Sequence, residues 1–145
     1  MRKQKGFTLV ELVVVVMILG ILAAVAAPKL LKTSVNATDN GTKQTLSVVR
    51  DAIERYAAEN GGTLPGADGS EATFKTNLST YLRGAFPKCA AYGNNADVKV
   101  TPTVSVDIEG TDTAESWHYS SWDGKFIINS GGPSKSAPAV MYDDL

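Results

Sequence analysis

The sequence predicts an α+β protein in which a long N-terminal helix, transmembrane in its first half and amphipathic in its second, packs on a small antiparallel β-sheet. Three observations carry that expectation. Residues 7–27 form a run of 21 positions interrupted by one charge, Glu11, and one hydroxyl, Thr8. Leu46, Val49, Ile53 and Tyr56 then recur at helical spacing, with Arg50, Asp51, Glu54 and Glu59 largely elsewhere. From Val98 the period changes to two: Val98, Val100, Val104, Val106 and Ile108 all occupy even positions, with polar residues between.

A helix over the apolar run, at about 1.5 Å per residue, spans roughly the 30 Å hydrocarbon core of a bilayer. Apolarity on every face is wrong for an ordinary surface helix. Arg2, Lys3 and Lys5 precede the run and no basic residue follows until Lys29. The positive-inside rule therefore places the N-terminus in the cytoplasm and the rest of the chain outside it. A secretory signal peptide also has a basic start and an apolar core, and Ala23-Ala24 or Ala26-Ala27 imitates its cleavage site. Its core is shorter, about 7–15 residues. Neither that reading nor a plain signal anchor accounts for Glu11, a carboxylate at membrane depth that costs a few kcal/mol and usually marks a function or a partner.

The string Lys5-Gly6-Phe7-Thr8-Leu9-Val10-Glu11-Leu12 resembles the class III signal of type IV pilins and pseudopilins. In that signal a short basic leader ends in Gly, and Phe-Thr-Leu-x-Glu opens the membrane helix. The resemblance implies a prepilin leader over residues 1–6, cut between Gly6 and Phe7 by a prepilin peptidase, with N-methylation of the new Phe7 amine. Gly6, without a side chain, suits close approach of a protease to the backbone. The resemblance further implies a homo-oligomeric helical filament in which Glu11 pairs with the Phe7 amine of the adjacent subunit, an arrangement consistent with the cost of leaving either charge unpaired in a low-dielectric bundle. Gly20 and Pro28 mark a kink near Ala24; in related pilins the corresponding pair brackets a segment that loses helicity on assembly. Further implied partners are other pseudopilins or minor pilins and an inner-membrane assembly platform.

The layout that follows is a pilin-like lollipop: leader 1–6, transmembrane helix 7–27, periplasmic half of the long helix 28–62, and a globular α+β domain 63–145. Residues 36–41 are weak in helix propensity, so a frayed turn is expected there. Asn60-Gly61-Gly62 ends the helix. A second helix is expected over 70–82, with Phe74, Leu78, Tyr81 and Leu82 inward and Gly84 stopping it. Residues 85–95 read as a loop. Pro102 breaks the alternating run or sends it to an edge. Trp117-His118-Tyr119 and Phe126-Ile127-Ile128, around Asp123-Gly124, read as an antiparallel hairpin, similar to the terminal hairpin of pseudopilins. Residues 131–138 read as a flexible polar segment.

Composition narrows the function. The chain is 43% hydrophobic and 20% charged with a net charge of -1, so no basic surface advertises nucleic acid. From Asp97 onward, eight acidic residues face Lys99, Lys125 and Lys135, so the exported part is mildly acidic. Cys89 is the only cysteine, which rules out a disulfide within this sequence. His118, the sole histidine, has Ser116, Ser120, Asp112 and Asp123 near it in sequence, but nothing resembles a nucleophile elbow and no enzyme is expected. Major pseudopilins of type II secretion bind calcium in a C-terminal loop. Here Glu109, Asp112, Glu115 and Asp123 offer carboxylates for it, although the family's loop pattern is not reproduced. A solvated acidic loop is the favoured reading, and no other cofactor is expected. The missing disulfide, the turn at residues 60–65 and the aromatic hairpin point to a type II secretion pseudopilin that drives protein export. The alternative is a type IV pilin or competence pseudopilin forming a surface filament.

Overall fold

The computed structural model describes residues 6–102 and 107–145. It contains two compact units, Met1–Val35 and Asn36–Leu145. Helix α1 runs without interruption over Leu9–Glu59. Helix α2 covers Glu71–Leu78, and three strands follow: β1 Val98–Thr101, β2 Trp117–Ser120 and β3 Phe126–Ile128.

In the first unit every described residue up to Ser34 is exposed, including the whole apolar run. Proline at 28 lies inside the helix, so the Ala24 carbonyl loses its usual donor. One helix among the described residues is long and apolar enough to cross a membrane, and it is this one.

In the second unit α1 buries Asp39, Thr42, Leu46, Val49, Ala52 and Ile53, a stripe at helical spacing. The expected fraying over 36–41 does not occur; the helix passes straight through. The reason is tertiary, since Asp39 in the middle of that stretch is fully buried and hydrogen-bonded to distant groups. Gly61 and Gly62 close α1 as expected. Gly61 takes φ +65°, and the Gly62 amide donates to the Ala57 carbonyl at 2.7 Å, a Schellman closure.

Helix α2 is shorter than expected, but Phe74 and Leu78 are fully buried, with Tyr81 and Leu82 half-buried in the turn beyond. Phe74 sits 4.2 Å, centroid to centroid, from Tyr119 and 6.2 Å from Phe126. Trp117 stacks on Phe126 at 5.1 Å. This aromatic layer and the α1 stripe form the core, and Cys89 is buried in it as a free thiol. Burial of full-sized side chains of this kind stabilises by about 1.5–3 kcal/mol each.

The sheet order is β1-β2-β3 and it is mixed, which corrects the antiparallel expectation. The hairpin is antiparallel as read, with Tyr119 opposite Phe126 and Trp117 opposite Ile128. Strand β1, however, runs parallel to β2, pairing Val98 with Trp117 and Thr101 with Ser120. Period-two patterning encodes which face is buried but not strand direction, and the connection from Pro102 to Ser116 is long enough for a parallel return. Strand β1 stops before Pro102; the Val104 and Val106 positions of the alternating run lie outside the described residues. All four β2 residues are buried because both faces of this central strand are covered.

Residues 131–138, read from sequence as flexible, are tied down. Pro133 bridges Met141, and Ser134 is fully buried against Asp39.

Candidate functional site

The N-terminal string forms the start of α1. Gly6 and Phe7 precede the helix; Phe7 is 83% exposed, and nothing lies within 4 Å of where a Gly6 side chain would begin. Thr8 is the residue before the helix and Glu11 lies three positions on. Glu11 Oε2 accepts from the Thr8 amide and from the Thr8 hydroxyl, each at 2.9 Å. The Thr8 hydroxyl oxygen in turn accepts from the Glu11 amide at 3.2 Å. This is a capping box, in which two otherwise orphaned helix-end donors are satisfied reciprocally. Sequence reasoning read Glu11 only as a charge, although Thr-x-x-Glu ahead of an apolar run is itself the signature of this cap. The site thus pairs an exposed Gly-Phe peptide bond with a carboxylate held one helical turn away. Gly20 and Pro28 are both exposed and lie within the continuous helix.

Of the four residues considered for calcium, Asp123, Glu109 and Glu115 are engaged as follows, and the Asp112 amide donates to the Asn129 carbonyl at 3.2 Å. Asp123 shapes the β2–β3 turn, its Oδ1 accepting from the Lys125 amide at 3.1 Å. Burial pushes its pKa up, but that bond and the Ser120 hydroxyl outweigh it and hold Asp123 below the ordinary carboxylate value. Glu109 contributes its backbone carbonyl, which accepts from His118 Nδ1 at 2.9 Å. The Thr113 hydroxyl beside Glu115 keeps that carboxyl below its ordinary value. Among the described residues no three His, Cys, Asp or Glu side chains stand where they could hold one metal ion.

What organises the 109–115 loop is Asn129, fully buried just beyond β3. Its Oδ1 accepts from the Thr111 amide at 3.0 Å and the Thr111 hydroxyl at 2.8 Å. Its Nδ2 donates to Thr113 Oγ1 at 2.7 Å and to the Glu115 carbonyl at 2.9 Å. All four hydrogen-bonding positions of the amide are used. The 109–115 loop is therefore gathered around a buried side chain.

His118 is likewise structural. Its second ring nitrogen, Nε2, shares a 2.8 Å hydrogen bond with the Thr101 hydroxyl, so neither nitrogen is available as a base.

The exposed apolar helix opens on the Gly6-Phe7 string, with the Glu11 carboxylate one turn in. Residues 1–27 match the family model described as the prokaryotic N-terminal methylation motif. Beyond that segment, the chain is similar over its N-terminal part to pilin-like proteins of secretion, fimbrial and competence systems. It is 42% identical over 60 residues to type II secretion system core protein G of Vibrio cholerae, covering 41% of each chain. It is 41% identical over 71 residues to fimbrial protein EcpB of Eikenella corrodens, covering 49% of this chain and 43% of that one. It is 37% identical over 57 residues to competence protein ComGC of Halalkalibacterium halodurans, covering 39% of this chain and 56% of that one. The chain thus matches about two fifths to somewhat over half of the length of these relatives. No solved structure matches it. The relatives are secretion, fimbrial and competence components, not enzymes.

Proposed function

We propose that the chain is a structural subunit of a type II secretion pseudopilus. In this reading prepilin peptidase cuts between Gly6 and Phe7, the Phe7 amine is methylated, and the subunit waits in the inner membrane as a single-pass protein with its C-terminal domain in the periplasm. Subunits then polymerise through the N-terminal helix, together with other pseudopilins and on an inner-membrane assembly platform, into a filament that drives protein export. One observation carries the reading: the methylation-motif match over residues 1–27 coincides with an apolar helix whose side chains are all exposed. Such a surface needs lipid or neighbouring apolar helices around it. Recurrent similarity to core protein G favours the secretion system; the same relationship holds for the Pseudomonas aeruginosa protein, at 39% identity over 59 residues.

The capping box supports a specific role for Glu11. In the uncut chain its carboxylate is satisfied by Thr8. Cleavage creates a new cation at Phe7, and in a filament Glu11 accepts the amine of the adjacent subunit, which sets register because a helix one turn out of step leaves two charges unpaired. Gly20 and Pro28 bracket the segment that loosens as subunits pack.

Intact-mass analysis of the membrane fraction tests the processing step. Loss of residues 1–6 plus one methyl group is expected, and retention of the leader removes the reading. Deletion followed by analysis of the secretome and of sheared surface material tests the machine. Loss of secreted proteins is expected. Loss of sheared filaments instead selects the second reading, a surface pilus or competence filament, which the similarities to EcpB and ComGC favour.

A further inference from the structure

Residues 36–41 read Asn-Ala-Thr-Asp-Asn-Gly, and all but Ala37 stand in the lower part of the helix-propensity order. Asn, Asp and Thr are poor there because their side chains hydrogen-bond nearby backbone in non-helical conformations and so compete with the helix. Yet α1 continues through them.

The C-terminal segment accounts for this. Asp39 Oδ2 accepts from the Ser134 hydroxyl and from the Ser136 amide, each at 2.8 Å. Its Oδ1 accepts from the Tyr142 hydroxyl at 3.1 Å. No cation takes part in these bonds. The segment is also closed on itself: the Tyr142 oxygen accepts from the Lys135 amide, Ser134 Oγ accepts from the Ala137 amide, and the Ser134 amide donates to the Val140 carbonyl. Three turns further along α1, Arg50 Nη1 donates to the Leu145 carbonyl at 3.2 Å.

We propose that residues 133–142 act as a clasp on α1: their bonds to Asp39 keep 36–41 helical, and release of the clasp lets that stretch unwind while the β2–β3 core stays folded. The clasp works in two ways. It supplies the donors that a buried carboxylate requires, and it occupies the side chain that would otherwise capture local backbone. The separation from the core is physical, because Tyr142 is the only residue of the segment in the main buried cluster. In a chain whose single cysteine is free, this carboxylate network holds the C-terminal segment without a cross-link. The proposal does not depend on which filament the protein builds.

Hydrogen exchange of the full chain in detergent micelles, read by mass spectrometry, tests it. Asp39→Ala is expected to raise exchange about tenfold or more in peptides covering 36–42 and 131–142, leaving β2 and β3 at their wild-type rates. Tyr142→Phe, which removes one donor and keeps the ring, is expected to raise exchange in the same two segments by less. A rise in 131–142 with 36–42 unchanged overturns the proposal, because the clasp then holds nothing in the helix. A rise that extends across β2 and β3 in both variants also overturns it, making Asp39 a determinant of global stability only. Should Asp39→Ala fail to fold, Ser134→Ala and Tyr142→Phe decide between the same outcomes.

Discussion

The two ends of α1 belong to one helix and present opposite surfaces. Ahead of residue 35 every described side chain of the helix is exposed, and nearly all are apolar. After residue 35 the helix has an inward stripe from Asp39 to Ile53 and an outward face that includes Lys43, Asp51, Glu54 and Arg55. The second unit covers its own apolar surface; the first cannot. Helical periodicity is present where one face of α1 is buried, and it is absent from the fully exposed apolar run.

The comparison is tested most severely at the N-terminal end, where single atoms are expected to decide between assembly and none. Gly6→Val places a branched side chain at the cut, and we expect the leader to be retained completely, read by intact mass. Glu11→Ala should leave cleavage unaffected but lower filament yield about tenfold or more, as removal of one member of a buried charge pair does. Normal yield from that variant would show that the carboxylate serves only the helix cap. Thr8→Val separates the two roles, since it removes the capping hydroxyl and leaves the charge.

In the second unit the expected effects are energetic and graded. Phe74→Ala empties the centre of the aromatic layer and should cost about 3–5 kcal/mol, measured by chemical denaturation of the detergent-solubilised chain. The same substitution type at Leu19, whose side chain is exposed in the first unit, should leave that stability unchanged. A comparable loss at Leu19 would break the comparison between the two ends.

Asn129→Ala should cost about 2–3 kcal/mol, because it leaves buried partners in the 111–115 loop without their bonds. Since an amide already gathers that loop, millimolar calcium should produce no thermal shift in the wild-type chain. A calcium-dependent shift would mean that the carboxylates regroup around an ion.

How far these features could be read from sequence depended on the range of the interactions behind them. The apolar helix of the first unit was legible because its run of apolar residues is local and needs no tertiary partner to be recognised. The α1 stripe, Phe74 and Leu78, and the 117–128 hairpin were legible because burial leaves a local period. Three features were not. The parallel pairing of β1 with β2 leaves no trace in alternation. Asn129 looks like any residue after a strand until its four bonds are seen. Asp39 sits in a stretch of poor helix formers, and what reverses that local preference lies 95 to 103 residues away. The capping box is a different kind of miss: its pattern was present locally, but the charge of Glu11 drew attention from its geometry.

The smallest expected effect concerns His118. Burial lowers its pKa, partly opposed by the bond to the Glu109 carbonyl, and the Lys99 and Lys125 charges lower it further while Glu115 raises it. The net position is below the ordinary imidazole value. The unfolded chain therefore binds a proton more readily than the folded one as pH falls through about 6.5. His118 contributes its full stability above that value and loses it progressively as pH drops towards the lower folded-state pKa. Denaturation midpoints should thus fall from pH 7 to pH 5.5, and His118→Gln should flatten that part of the profile. Protonation also replaces the acceptor at Nε2 with a donor facing the Thr101 hydroxyl, so the bond between β1 and β2 survives only if that hydroxyl turns to accept. A profile that stays equally steep in the variant would place the acid sensitivity in the carboxylates of the second unit instead, with Asp39 and Asp123, both held below their ordinary values, next in line at lower pH.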